Sequence, residues 1–379
     1  MPDVIMVADL GSSGSKFFVQ VQMKTLNTLH STRNSQPQLI LMEPEVIPAS
    51  RERLELYEKE KLGHPSPEDS AWVEYDGQCY TVGYLAKSQF RADSGERELK
   101  YERVIPKILA ALGSIAEREG LPSRFSLRLG VLLPYGEYKN QELLEQTLPQ
   151  VLSDFKFRHQ HYAVELERFE CKPEGGGLLL VRRRILGEAF AQQDALIIVM
   201  GYRNTSYLAV QRGTITGGSS DHGFIRVVEK VLAHTSGQER DKLVPALYNA
   251  GKSADQNVLK QLAKSHDPHF RKVEVAQLVK ASKLARRDVW ASLVSWFRNH
   301  VPLHKPEAGL TGGTANYYQP ELEEFLAPSK LNWYEELEKQ AQAIPCNRVP
   351  RPFLKHRITD AFGFFLYLVN IPSRMAKSA

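Results

Sequence analysis

The sequence predicts an α/β protein built from two related halves, and three observations carry that prediction. First, an apolar strand, Val4-Ile5-Met6-Val7-Ala8, enters the polar turn Asp9-Leu10-Gly11-Ser12-Ser13-Gly14-Ser15-Lys16, after which Phe17, Val19 and Val21 alternate with Phe18, Gln20 and Gln22. That alternation has the period of a strand, so the turn is the tip of a hairpin. Second, the plan repeats: Leu196-Ile197-Ile198-Val199 enters Met200-Gly201-Tyr202-Arg203-Asn204-Thr205-Ser206, and Tyr207-Leu208-Ala209-Val210 leaves it. Third, helical spacing dominates after the second unit, as expected for an α/β half carrying a helical elaboration.

Between these landmarks each element has its own signal. Leu39-Ile40-Leu41 reads as a third strand, and the polar stretch 50–70 as an exposed insertion or loop. A second hairpin follows over 72–83, where Asp76-Gly77 is a favoured two-residue turn. Val104, Ile108, Leu109, Leu112 and Ile115 give 101–119 a helical apolar face. A strand over 126–133 stops at Pro134, a helix covers 140–155, and Gly175-Gly176-Gly177 opens a strand over 178–181. Further helices are expected at 223–233, 241–249, 254–264 and 275–297, and a glycine turn at 309–316 precedes one at 320–326.

The chemistry of the turns narrows the function. A Walker A loop or dinucleotide fingerprint joins a strand to a helix, whereas the first turn here joins two strands. Gly11 and Gly14 allow successive N–H groups to converge on an anion, with Ser12, Ser13 and Ser15 beside them. Lys16 supplies a mobile point charge for phosphate oxygens, and Asp9 suits a hydrated Mg²⁺. Ordinary hairpin loops use the same residue types. Gly312 and Gly313 leave no side chain between backbone and a flat base or ribose, although paired glycines also serve plain strand-to-helix packing.

Composition excludes several classes. The 379 residues, 42% hydrophobic and 25% charged, suit a globular protein of two or three domains. Lys plus Arg exceed Asp plus Glu by 49 − 44 = 5, too little for a surface devoted to nucleic acid. Cys79, Cys171 and Cys346 are few and scattered, which argues against a disulfide framework or thiolate metal site and fits a reducing cytoplasm. No secretory signal is read at the N-terminus. The longest apolar run, 362–369, falls short of the roughly 20 residues that span a bilayer and reads as a buried helix. Ser219, Asp221 and His222 evoke a hydrolase triad only by residue type, without a Gly-x-Ser-x-Gly elbow.

The three glycine turns, in this order, resemble those of the actin, Hsp70 and sugar-kinase superfamily, and the nearest resemblance is to bacterial actin-like proteins of the ParM and StbA kind. Asp9 to Lys16 looks like the first phosphate motif, Gly201-Tyr202-Arg203-Asn204-Thr205 like the second, and Thr311-Gly312-Gly313-Thr314-Ala315-Asn316 like the adenosine motif. Val82-Gly83-Tyr84-Leu85-Ala86 and Leu133-Pro134 add to the likeness. The resemblance implies two related actin-like, ribonuclease H-like domains around a nucleotide cleft, with domain I at 1–186 plus 360–379 and domain II at 187–359. It also implies ATP or ADP with Mg²⁺ held by Asp9 through water, and slow hydrolysis that controls filament turnover.

In such proteins a Glu or Gln at a strand-to-helix crossing orients the attacking water, and Ile185-Leu186-Gly187-Glu188-Ala189-Phe190-Ala191 resembles that crossing, with Glu188 in the role. Thr359-Asp360-Ala361-Phe362-Gly363-Phe364 resembles the second crossing, where a glycine lets two helices pass closely. The implied partners are further copies of the chain in a filament and a DNA-binding adaptor, in plasmid or other DNA segregation, without direct nucleic-acid contact or a membrane span. One departure bears on mechanism: the second hairpin usually begins with Asp near the metal, and here Val199 stands there. That keeps open a monomeric ATP-dependent switch or scaffold with little hydrolysis. A sugar-kinase-like enzyme is the remaining alternative, for which no sugar-binding carboxylate stands out.

Overall fold

The computed structural model describes residues 2–24, 32–95, 98–303, 305–348 and 356–372. The chain divides into two compact units. Unit 1 comprises Met1–Ile185, Glu336–Pro350 and Ile358–Ala379, and unit 2 comprises Leu186–Glu335 and Arg351–Arg357.

Unit 1 opens with β1 (Val4–Gly11) and β2 (Gly14–Lys24), followed by β3 (Thr32–Asn34), β4 (Gln38–Met42), β5 (Val46–Ala49) and α1 (Arg51–Glu60). The hairpin β6 (Trp72–Tyr75) and β7 (Gln78–Val82) leads to α2 (Tyr84–Phe90) and α3 (Val104–Glu119). Then come β8 (Arg124–Leu133), α4 (Tyr135–Tyr138), α5 (Gln141–Ser153), β9 (Phe155–Phe157), β10 (Gln160–Pro173) and α6 (Gly176–Leu186). The sheet runs β3-β2-β1-β8-β10-β9-β6-β7-β5, with β4 paired to β2. Its centre is parallel, β1 beside β8 and β8 beside β10, so these strands are covered on both faces. Accordingly Met6, Val7, Leu127, Leu129 and Val131 are all fully buried.

Two expectations change here. The stretch 50–70, read as a loop, contains helix α1, because the Ser50 hydroxyl accepts a hydrogen bond from the Arg53 amide at 3.4 Å and Leu54 anchors one face in the core. The strand expected at 178–181 is instead the body of α6, with Leu178 and Leu179 buried. The missing strand lies upstream, in β10. A register shift between Leu166 and Arg168 breaks the alternation of that strand, which hides it from a period-two reading.

Unit 2 opens with β11 (Asp194–Met200), β12 (Thr205–Gln211), β13 (Thr214–Ser220), α7 (Phe224–Ala233), α8 (Arg240–Ala250) and α9 (Gln256–Leu259). The long α10 (Pro268–His300) precedes β14 (Glu307–Thr311), α11 (Gly313–Tyr317), α12 (Gln319–Phe325) and β15 (Lys330–Asn332). Sheet order is β13-β12-β11-β14-β15, with β11, β14 and β15 parallel. Helix α10 starts where the Asp267 carboxylate accepts from the His269 and Phe270 amides and Pro268 needs no partner for its nitrogen. Its inner face, Leu278, Ala285, Val289, Leu293 and Phe297, joins the core formed with Leu196, Ile198 and Leu310.

The chain then returns to unit 1 through α13 (Glu335–Gln342) and ends in α14 (Thr359–Val369). Residues 336–350, assigned from sequence to the second domain, group with the first. The cause is direct: the Leu39 amide donates to the Pro345 carbonyl at 2.8 Å, and the Asn347 side chain brackets the Leu41 backbone at 2.8 and 3.1 Å. The apolar run 362–369 forms most of α14, whose Phe362 and Phe365 pack against Phe18. Arg128 donates to the Leu368 and Ile371 carbonyls at 3.0 and 2.8 Å, which satisfies the C-terminal end of that helix. Among the described residues, no helix is long and apolar enough to cross a membrane.

Candidate functional site

In unit 1 the β1–β2 register sets the first turn. Gly11 faces Gly14 and Asp9 faces Lys16, so Ser12 and Ser13 form the tip and the two charged side chains lie cross-strand on one face. Their ion pair joins the Lys16 ammonium to Asp9 Oδ2, with Lys16 buried and Asp9 partly so. Next to the tip, the Ser15 hydroxyl is buried and has no hydrogen-bond partner. An orphaned donor beside a half-buried glycine-serine tip is a feature that an incoming acceptor would complete.

The same unit contains the crossing from β10 to α6. The Glu174 amide donates to the Leu133 carbonyl at 2.7 Å, and its carboxylate sits 2.5 Å from the Lys100 ammonium, on a 3₁₀ turn just before α3. Asp360, at the start of α14, accepts from the Gly175 amide at 2.7 Å and the Leu178 amide at 3.2 Å, and so caps α6 from another helix. Burial pushes the Asp360 carboxyl up to about 7, with the charges of Asp9 and Glu174 adding to the rise and the two amide bonds opposing it. The helices touch at glycines: a Cβ on Gly177 would lie 2.0 Å from the Asp360 carbonyl oxygen, and one on Gly363 would lie 2.8 Å from that of Gly177.

Sequence reasoning put the strand-to-helix crossing at 185–191, and the structure corrects this. Those residues are the end of α6 and a 3₁₀ turn, Gly187–Gln192, on which Glu188 is exposed. The acid at the actual crossing is Glu174. Its sequence signal is Pro173-Glu174-Gly175, and the glycines that follow open a helix and, at Gly177, serve the close passage of two helices rather than the start of a strand.

Unit 2 carries the other two turns and packs them together. Met200 faces Thr205 across β11 and β12, and the Gly201 amide donates to the Asn204 carbonyl at 2.8 Å to close the tip around Tyr202 and Arg203. The Thr205 hydroxyl donates to the His222 carbonyl at 2.5 Å, while Asn204 Oδ1 is buried without a hydrogen-bond partner. Gly312 is held at φ +100°, where a Cβ would stand 2.3 Å from the Met200 carbonyl oxygen. The Gly312 amide and Thr311 hydroxyl both donate to the His356 carbonyl, at 2.6 and 2.8 Å, and the Thr314 hydroxyl donates to the Gly201 carbonyl at 2.6 Å. Gly313 lies against the Arg357 side chain, and Asn316 Nδ2 donates to the Tyr248 hydroxyl at 2.7 Å.

The remaining candidates resolve simply. Val199 pairs with Ser206 and Thr311 at the end of β11, so this strand end carries no carboxylate. His222 Nε2 lies 2.8 Å from Ser292 Oγ, and Asp221 is engaged with Arg226, so Ser219, Asp221 and His222 form no triad. Among the described residues no group of three or more His, Cys, Asp or Glu side chains is placed to hold a metal. The three cysteines are unpaired as thiols, with Cys79 and Cys171 buried.

This is the actin-like fold, with solved structures matched over nearly the whole chain. The archaeal actin homologue Ta0583 is similar at TM-score 0.57 and 14% identity, covering 97% of this chain and 99% of that one. The actin-like protein Alp7A matches at 0.56 and 14%, covering 96% and 95%, and a subunit of the 15-stranded ParM filament from Clostridium botulinum at 0.53 and 13%, covering 98% and 100%. No family model matches the sequence, and no curated protein matches it either.

Proposed function

We propose that this chain binds a nucleoside triphosphate, assembles into filaments with further copies of itself, and hydrolyses the nucleotide slowly to limit filament lifetime. The observation that carries the reading is that each unit, taken by itself, has a glycine-containing hairpin tip, and that the tip of unit 1 stands beside the buried Ser15 hydroxyl, a donor without a partner. The tip amides of Gly11 to Ser15, and those of the Gly201 to Thr205 tip other than the Gly201 amide, which is taken by the Asn204 carbonyl, are the proposed donors for β- and γ-phosphate oxygens, with Lys16 as the neutralising charge. The Gly312-Gly313 turn, with Thr314 and Asn316, receives the base and ribose. Likeness in fold to filament subunits supports assembly, and to this reading we add, from the motif resemblance alone, an adaptor-borne DNA cargo in the cytoplasm.

Mg²⁺ fits the residues present in a limited way. Asp9 is a single half-buried carboxylate, which suits an ion that keeps most of its water and takes further ligands from phosphate. When bound, the ion would neutralise charge developing on the phosphate oxygens. In hydrolysis the water oxygen bonds to the γ-phosphorus as the bond to the β–γ bridging oxygen breaks, the bridging electrons stay on the diphosphate, and the water proton passes to phosphate. Glu174 at the crossing is the group we assign to orienting that water, in place of Glu188.

Val199 favours a second reading, a monomeric nucleotide-dependent switch or scaffold with little or no turnover, because the strand end that would aid water activation is apolar. Pelleting and light scattering with ATP, ADP or a non-hydrolysable analogue, alongside phosphate release, separate the two. The leading reading expects nucleotide-dependent pelleting with slow phosphate release. Binding without assembly selects the switch, assembly without phosphate release removes only the hydrolytic step, and no binding of any nucleotide removes both. Glu174→Gln is expected to slow phosphate release at least tenfold with affinity unchanged, while Glu188→Ala leaves the rate within twofold.

A further inference from the structure

We infer that Lys100 is a positioning residue of this site, whose ammonium fixes the Glu174 carboxylate in the orientation that directs water at the terminal phosphate. The inference rests on the hydrolytic reading above and adds a residue that neither the motifs nor the fold likeness points to.

The geometry is specific. Lys100 Nζ lies 2.5 Å from Glu174 Oε1, and the two side chains are only 8% and 12% exposed. The residues are 74 positions apart in sequence, so the contact exists only in the folded unit. The Glu174 backbone is clamped, its amide on Leu133 and the next amide on Asp360. Lys100 holds the carboxylate at its Oε1 oxygen.

Electrostatics tie the pair to the phosphate hairpin. Burial works against the Lys100 charge, but Glu174, Asp9 and Glu137 together outweigh it and hold the ammonium above its ordinary range. Asp9 is the carboxylate of the first hairpin, so Lys100 sits within the field of both acids assigned to the chemistry. A buried ion pair is a poor source of stability, because the desolvation of two charges offsets most of their attraction, and an apolar pair of similar volume serves packing as well. Orientation of the carboxylate is what the charge adds.

The test is a double-mutant cycle of Lys100→Met and Glu174→Gln in the full chain, reading phosphate release and the affinity for a non-hydrolysable ATP analogue. The expected result is at least a tenfold fall in phosphate release for Lys100→Met, analogue affinity within twofold of wild type, and no further fall when Lys100→Met is added to Glu174→Gln. Partial recovery in Lys100→Arg, which restores the cation with a different reach, is part of the expectation. Unchanged release in Lys100→Met, or an independent loss in the Glu174→Gln background, overturns the inference while leaving the hydrolytic reading intact. Absence of phosphate release from wild-type protein removes both. Should Lys100→Met fail to fold, the same cycle with Lys100→Arg decides: a loss that vanishes in the Glu174→Gln background supports the inference, and a loss that persists refutes it.

Discussion

Gly312 shows how a single residue joins two parts of the candidate site. Its positive φ and the Met200 carbonyl 2.3 Å from any added Cβ leave no room for a side chain, since the obstruction is backbone. Gly312→Ala is expected to destabilise unit 2 by about 2–4 kcal/mol, through strain and displacement of the turn, measurable as a lower urea midpoint. Asp360 makes a different prediction. Its carboxyl is raised to about 7 in the folded chain and returns to about 3.9 when unfolded, so between those values the native state retains a proton that the unfolded state has lost. Its contribution therefore makes stability rise as pH falls from about 7 towards 4. Asp360→Asn should flatten that rise in denaturant titrations across the window, and an unaltered slope would refute the assignment.

At the scale of elements, the unit 1 site is the product of one crossing. Helices α6 and α14 pass at Gly177 and Gly363, and this closeness lets Asp360 cap α6 one residue beyond Glu174, which directly follows β10. Gly177→Ala places a methyl 2.0 Å from a carbonyl oxygen, so the helices must separate. We expect a loss of about 3 kcal/mol or more in stability, larger than the ordinary benefit of Ala over Gly in a helix, together with slower phosphate release. Stability equal to wild type would show that the crossing is not close-packed in solution. The hairpins are a contrasting case, since β1–β2 and β11–β12 follow from local alternation and tip residues.

At the scale of the whole molecule, unit 1 is assembled from three separate stretches of chain. The segment near 345–348 docks on β4 through the Asn347 amide group, which pairs with both backbone groups of Leu41 across 306 positions, and through Arg348, which engages Glu43 and Asp69. Asn347→Ala removes two hydrogen bonds and leaves the Leu41 groups without them, with an expected cost of about 1–3 kcal/mol. Limited proteolysis should then cut near 345–348 faster than in wild type, and an unchanged rate would show that the segment is held by other contacts.

The sequence alone determined the elements whose signals are local. The two glycine hairpins, the Asp76-Gly77 turn, the apolar face of α3 and the buried run in α14 were all legible, because alternation, turn chemistry and helical spacing are written within a few residues. Helix α1 and strand β10 were not: a polar helix with one buried anchor lacks a periodic face, and a register shift erases the period of a strand. The position of the strand-to-helix crossing, and with it of Glu174, is hidden for the same reason, since it depends on where β10 ends. Only the tertiary structure paired Lys100 with Glu174, set Asp360 over the start of α6, and drew residues 336–350 into unit 1. Those contacts join positions dozens to hundreds of residues apart, and their geometry arises from packing that no local pattern encodes.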